Sequence, residues 1–133
     1  MDPLQVLRNF RIVEIAAGIR VVEYRLILTP GFDRGLKKHL DVDEQNALFK
    51  AIAESPGTGP IIPGLPGVRK LRYAIEGRGK RGGARIVYYY RTGRHDVILL
   101  DFCAKNEKED LSSGDKKAIN RAVKNIKEAF GID

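Results

Sequence analysis

Glu76-Gly77-Arg78-Gly79-Lys80-Arg81-Gly82-Gly83-Ala84-Arg85-Ile86-Val87-Tyr88-Tyr89-Tyr90 can be read in two incompatible ways. Gly77, Gly79 and Gly82 fit the G-x-G-x-x-G spacing of a dinucleotide-binding loop. Such a loop needs a helix directly after it, because the helix N-terminus holds the pyrophosphate. Here the glycines run into Ala84 to Arg91, whose Ile, Val and Tyr residues read as a strand. A phosphate-binding P-loop fails too, since Ala74 and Arg81 stand where Gly and Ser or Thr are required. A kinase glycine-rich loop lies between strands, but it needs a longer chain and further motifs that Asp101-Phe102-Cys103 does not supply. The glycines are therefore turn residues between two strands.

Working outward, Val68 to Ile75 alternates strictly, with Leu71, Tyr73 and Ile75 on one face and Lys70, Arg72 and Ala74 on the other. Asp96 to Ala104 reads as a third strand, entered through the turn Thr92-Gly93-Arg94-His95. Three strands with short connections imply an antiparallel meander. Downstream, Ile119, Ala122, Ile126 and Phe130 recur at helical spacing from about Leu111, with Ser112 or Ser113 as cap and Gly131 as stop. Upstream, Ser55 to Gly67 is a loop holding four of six prolines, with Ile61, Ile62 and Leu65 expected to anchor it. Val42 to Glu54 reads as a helix with a Leu48, Phe49 and Ile52 stripe, and Asp33 opens a short helical turn before it. Tyr24 to Thr29 is a strand ended by Pro30-Gly31. Residues 1–23 are an extension with two open readings, a strand hairpin turning at Ala17-Gly18 or a flexible leader. The expected class is α+β, a small curved antiparallel sheet with two N-terminal helices and a C-terminal helix.

At 133 residues and 43% hydrophobic, the chain suits one domain that buries roughly two-thirds of its unfolded surface. The formal charge of +7 is concentrated. Residues 1–66 balance eight basic against eight acidic groups, whereas residues 67–104 hold nine basic and three acidic. A clustered positive field attracts phosphate backbones. A single cysteine, Cys103, excludes a disulfide framework or cysteine zinc site and fits a reducing, cytoplasmic setting. There is no apolar run of membrane-spanning length. Glu14, Arg20 and Glu23 break the N-terminal apolar stretch, unlike a signal peptide.

Lys70 and Arg72 share a face of one strand, and Arg85, Val87 and Tyr89 share a face of the next. If the strands pair, Arg85 lies beside Lys70 and Arg72. A solvated outer face is the plain alternative, and recurrence on adjacent strands favours function. His39 and His95 have no evident Cys or carboxylate partner, so triad chemistry is unsupported. No metal-ligand spacing appears. The acidic groups are scattered, which argues against paired-carboxylate chemistry. No metal and no cofactor are expected.

Gly67-Val68-Arg69-Lys70-Leu71-Arg72, then Gly77-x-Gly79-Lys80-x-Gly82-Gly83-x-Arg85-Ile86-Val87-Tyr88-Tyr89, then Ala104-Lys105-Asn106-Glu107-x-x-Asp110-Leu111, resembles the RelE/ParE toxin superfamily, nearest its HigB-like RelE branch. The resemblance covers roughly residues 24–130, so residues 24–133 are the expected toxin domain. It implies a bacterial toxin of a type II toxin–antitoxin system that cleaves messenger RNA in the ribosomal A site. It implies as partners an adjacent antitoxin, often with a helix-turn-helix, and the ribosome with its message.

By motif position, Lys70, Arg72, Arg85 and Lys105 are the expected catalytic cations, with Lys70 or Lys105 taking the proton and Arg72 and Arg85 holding the phosphate. Arg69, Arg78, Lys80, Arg81 and Tyr89 are expected to contact RNA, Tyr89 either stacking on a base or packing in the sheet. Asn106 stands where the family often has arginine, and no tyrosine follows Tyr90, which leaves the general acid and base open. The alternatives are a ParE-like inhibitor of DNA gyrase and a nucleic-acid-binding module without chemistry.

Overall fold

A computed structural model describes residues 8–75, 83–104 and 111–133. Strand β1 (Arg11–Ala17) turns at Gly18, whose φ of 92° suits glycine, into β2 (Val22–Leu28), and the two pair antiparallel from Arg11↔Leu28 to Ala17↔Val22. Helix α1 (Pro30–His39) follows at once. Pro30 and Gly31 open this helix rather than forming a separate turn, because the Thr29 hydroxyl accepts the Phe32 N–H at 3.2 Å and proline suits the first helical position.

Helix α2 (Val42–Glu54) spans the expected residues. It starts from a capping box in which Asp41 accepts the Glu44 N–H at 2.8 Å and Glu44 accepts the Asp41 N–H at 3.0 Å. The loop after it is pinned from the sheet. The Tyr88 hydroxyl donates to the Pro56 carbonyl at 2.8 Å and accepts the Gly59 N–H at 3.2 Å. Ile62 and Leu65 are buried as expected, whereas Ile61 is exposed and bonds only as a backbone bridge to Arg69.

Strands β3 (Val68–Tyr73), β4 (Ala84–Tyr90) and β5 (Asp96–Ala104) form the expected antiparallel meander. The sheet as a whole is mixed, in the order β1-β2-β5-β4-β3, because β2 lies parallel to β5 from Arg25↔Asp96 to Leu28↔Leu99. Helix α1 makes this possible by carrying the chain away from β2 across one face. An antiparallel sheet throughout was the expectation, and this one junction differs from it.

Every residue of β4 is buried, since β4 is flanked by β3 and β5 and covered on both faces. On one face Ile86, Tyr88 and Tyr90 join Leu36, Leu48 and Ile52 of α1 and α2. On the other, Val87 and Tyr89 join Val123 and Ile126 of the C-terminal helix α3 (Ser113–Phe130). That helix is capped reciprocally by Ser112 and Asp115 and ends at Gly131 in the left-handed region, φ 66°.

Candidate functional site

The cations are placed by strand alternation. Val68 packs toward α3 and Leu71 and Tyr73 toward α1 and α2, so Lys70 and Arg72 emerge on the α3 side. Val87 and Tyr89 do the same for Arg85. Register then sets two rows across three strands. Arg72, Arg85 and Cys103 form one row, and Lys70, Val87 and Asp101 form the next.

Asp101 reaches this face through a β-bulge. Val87 pairs with Asp101 but Tyr88 pairs with Leu99, so Leu100 has no opposite residue. Without the extra residue, alternation from Ile98 would send Asp101 and Cys103 into the core and Phe102 toward α3. With it, Phe102 packs edge-on to Phe32 at 5.9 Å, and Asp101 and Cys103 turn to the cations.

The Arg85 side chain is only 4% exposed, and its Nη2 lies 3.3 Å from Asp101 Oδ2 and 3.3 Å from Cys103 Sγ. The Cys103 thiol donates to the same Asp101 oxygen at 3.4 Å. Burial pushes the Cys103 thiol pKa up, the Asp101 charge and hydrogen bond add to this, and Arg85 opposes it. The thiol is therefore a poor nucleophile. Arg72 is exposed and Lys70 half-buried. Asp101 and Cys103 also border a groove of about 400 Å³ between β5 and α3, walled by Leu100, Leu111, Ile119 and Ala122.

Lys70, Arg72 and Arg85 are thus brought together. Arg69 is not, because it faces the other way and gives Nη1 to the carbonyls of Gly57 and Gly59, both at 2.9 Å, with its guanidinium 6.0 Å from the Tyr90 ring. Tyr89 shares the Arg85 face but is buried under Lys127, 5.3 Å from the ring, and beside Gly67. Arg78, Lys80, Arg81 and Lys105 lie outside the described residues. His39 stacks near Phe102 at 5.8 Å and His95 lies 6.1 Å from Tyr24, so neither is in the cation rows. Among the described residues no group of His, Cys, Asp and Glu could hold a metal ion, and no helix is long and apolar enough to cross a membrane.

Asp101 is the site residue that sequence reasoning missed. The run Val97-Ile98-Leu99-Leu100 hides alternation, so nothing in it reveals the bulge. The available signal was that Asp101 is one of only three acids within the basic segment 67–104.

An open five-stranded mixed sheet, with two helices on one face and one on the other and clustered cations on adjacent strands, has the organisation of a RelE-like fold. Residues 24–130 match the family model described as RelE toxin of the RelE/RelB toxin–antitoxin system. The chain belongs to this family and is the toxin of a toxin–antitoxin system, with a RelB-type antitoxin as the implied partner. Strand β1 lies outside the matched span.

Proposed function

We propose that this toxin is a ribosome-dependent messenger RNA endonuclease of the HigB-like branch. The observation that carries the reading is the facing of Arg72 and Arg85 across β3 and β4, with Lys70 in the adjoining row. Like charges directly opposite on a sheet disfavour the pairing, so their best use is a shared anionic ligand. In RNA cleavage the 2′-OH attacks the neighbouring phosphorus and charge grows on the phosphate oxygens. Guanidinium groups are suited to that charge because they donate in a fixed planar fork.

Arg72, exposed, makes the first contact with the phosphate, and Arg85 supplies buried, water-excluded charge once the substrate draws it from Asp101. Lys70 stands where it can exchange a proton with a ribose oxygen. Lys105, Arg78, Lys80 and Arg81 are assigned to the site and the RNA backbone by motif position. The ribosome supplies the message in a fixed conformation, and the antitoxin, carrying a helix-turn-helix, silences the site in the cytoplasm.

Inducing the toxin without its antitoxin and mapping messenger 5′ ends tests the reading. Cuts inside translated codons that vanish when translation is blocked are the expected result. Intact messages with gyrase-linked DNA breaks would place it with gyrase inhibitors instead, and intact messages with normal growth would leave a binding module.

A further inference from the structure

We propose that Asp101 is the general base of the cleavage reaction, taking the proton of the attacking 2′-OH, and that Lys70 protonates the departing 5′ oxygen. This rests on the nuclease reading above.

Three features converge on Asp101. The bulge at Leu100 turns it out of the core and into the cation rows, where a carboxylate otherwise opposes phosphate binding. Its Oδ2 is held by both Arg85 and Cys103, whereas Oδ1 has no partner among the described residues. The side chain is 41% exposed and borders the groove between β5 and α3. The other acid of β5, Asp96, is at the far end and accepts from Arg25 Nε at 2.6 Å.

The two-row layout assigns the remaining parts. Asp101 and Lys70 flank Val87, two strand spacings apart, or about 10 Å between Cα atoms. Arg72 and Arg85 occupy the next row. A phosphate held by the two arginines has the carboxylate on its β5 side and the ammonium on its β3 side. In-line displacement needs this, because the attacking and leaving oxygens lie on opposite sides of phosphorus. The nucleoside bearing the 2′-OH then lies in the apolar-walled groove beside Asp101. A carboxylate is already in its basic form at neutral pH, whereas an ammonium must first lose a proton before it can serve as base.

In the step itself the 2′-O–H proton passes to Asp101 Oδ1 as the 2′ oxygen bonds to phosphorus. The P–O5′ bond breaks, its electron pair stays on the 5′ oxygen, and that oxygen takes a proton from Lys70. The products are a 2′,3′-cyclic phosphate and a 5′-hydroxyl, and exchange with water returns Asp101 and Lys70 to their starting forms.

The experiment is single-turnover cleavage on programmed ribosomes by wild type, Asp101→Asn and Lys70→Ala. Each is given normal RNA and RNA with sulfur replacing the bridging 5′ oxygen, a leaving group that needs no proton. Asp101→Asn keeps an acceptor for Arg85, so its fold and RNA affinity are expected to hold while cleavage of both substrates falls about 10²–10⁴-fold. Lys70→Ala is expected to lose activity on normal RNA and regain it on the sulfur substrate. An Asp101→Asn rate within about threefold of wild type overturns the proposal, as does its rescue by sulfur. Failure of sulfur to rescue Lys70→Ala removes Lys70 as the acid. Wild type that cleaves neither substrate sinks the nuclease reading, and this inference with it.

Discussion

Arg72 of β3 lies directly opposite Arg85 of β4, and the two differ sharply in environment, one exposed and the other 4% exposed and paired with Asp101. Two guanidinium groups in register across a sheet do not help it fold. Their placement is explained by a ligand that neutralises both.

Arg72→Ala therefore separates function from stability. It is expected to leave the melting temperature unchanged or raise it, by the equivalent of about 0–1 kcal/mol, since the like-charge opposition is gone. Cleavage is expected to fall about 10²–10³-fold, as for the loss of one donor to a developing oxyanion. Thermal melts beside ribosome cleavage assays check both.

Arg85→Ala is expected to abolish growth arrest with the protein still folded. It leaves Asp101 without its cation and a hole beneath the site. The cost is about 1–3 kcal/mol, below that of a fully buried pair because Asp101 keeps its contact with water. A soluble, cooperatively melting variant that still arrests growth would refute the role given to Arg85.

Tyr88→Phe tests the pinning of the loop at Pro56 and Gly59. Losing both hydrogen bonds is expected to cost about 1–2 kcal/mol while cleavage persists. Burial raises the Tyr88 phenol above its ordinary range, with the Gly59 N–H and Arg69 opposing in part. A raised folded-state pKa means that this stability is whole below the unfolded value of about 10 and is lost as pH rises through the folded one. Denaturant melts across that alkaline window are expected to show a smaller decline for Tyr88→Phe than for wild type.

Cys103 reports on the same ion cluster. Its raised pKa, from burial first and Asp101 second, predicts slower alkylation near pH 8 than for a free thiol. In Asp101→Asn the rate is expected to rise, because the nearby negative charge is gone, yet to stay below that of a free thiol, because burial remains. Timed iodoacetamide labelling followed by mass spectrometry measures both.

Much of the architecture was legible in the sequence. Strict alternation in Val68 to Ile75 marked both faces of β3, and the turn at Gly93 set up the meander. The Val42–Glu54 helix was bounded by its acidic start and its apolar stripe. Pro30-Gly31 was harder, because the same dipeptide ends a strand or opens a helix, and the Thr29 cap decides which. Nothing local showed that β2 would join β5 in parallel, since that pairing spans some seventy residues.

The site divides along the same line. By itself the sequence determined that cations would recur on one face of adjacent strands, because side-chain direction in a regular strand follows from a period of two. Arg69 shows where that rule ends, since its opposite direction was legible but the two carbonyls it binds come from a distant loop. Only the tertiary structure decided that Tyr89 is covered by α3 and that Asp101 turns toward Arg85. The physical reason is the bulge at Leu100, where one residue without a partner reverses the parity of everything after it. Whether a chain bulges is settled by the fit of Phe102 against α1 and of Ile98 beneath α3, contacts that exist only once the layers have packed.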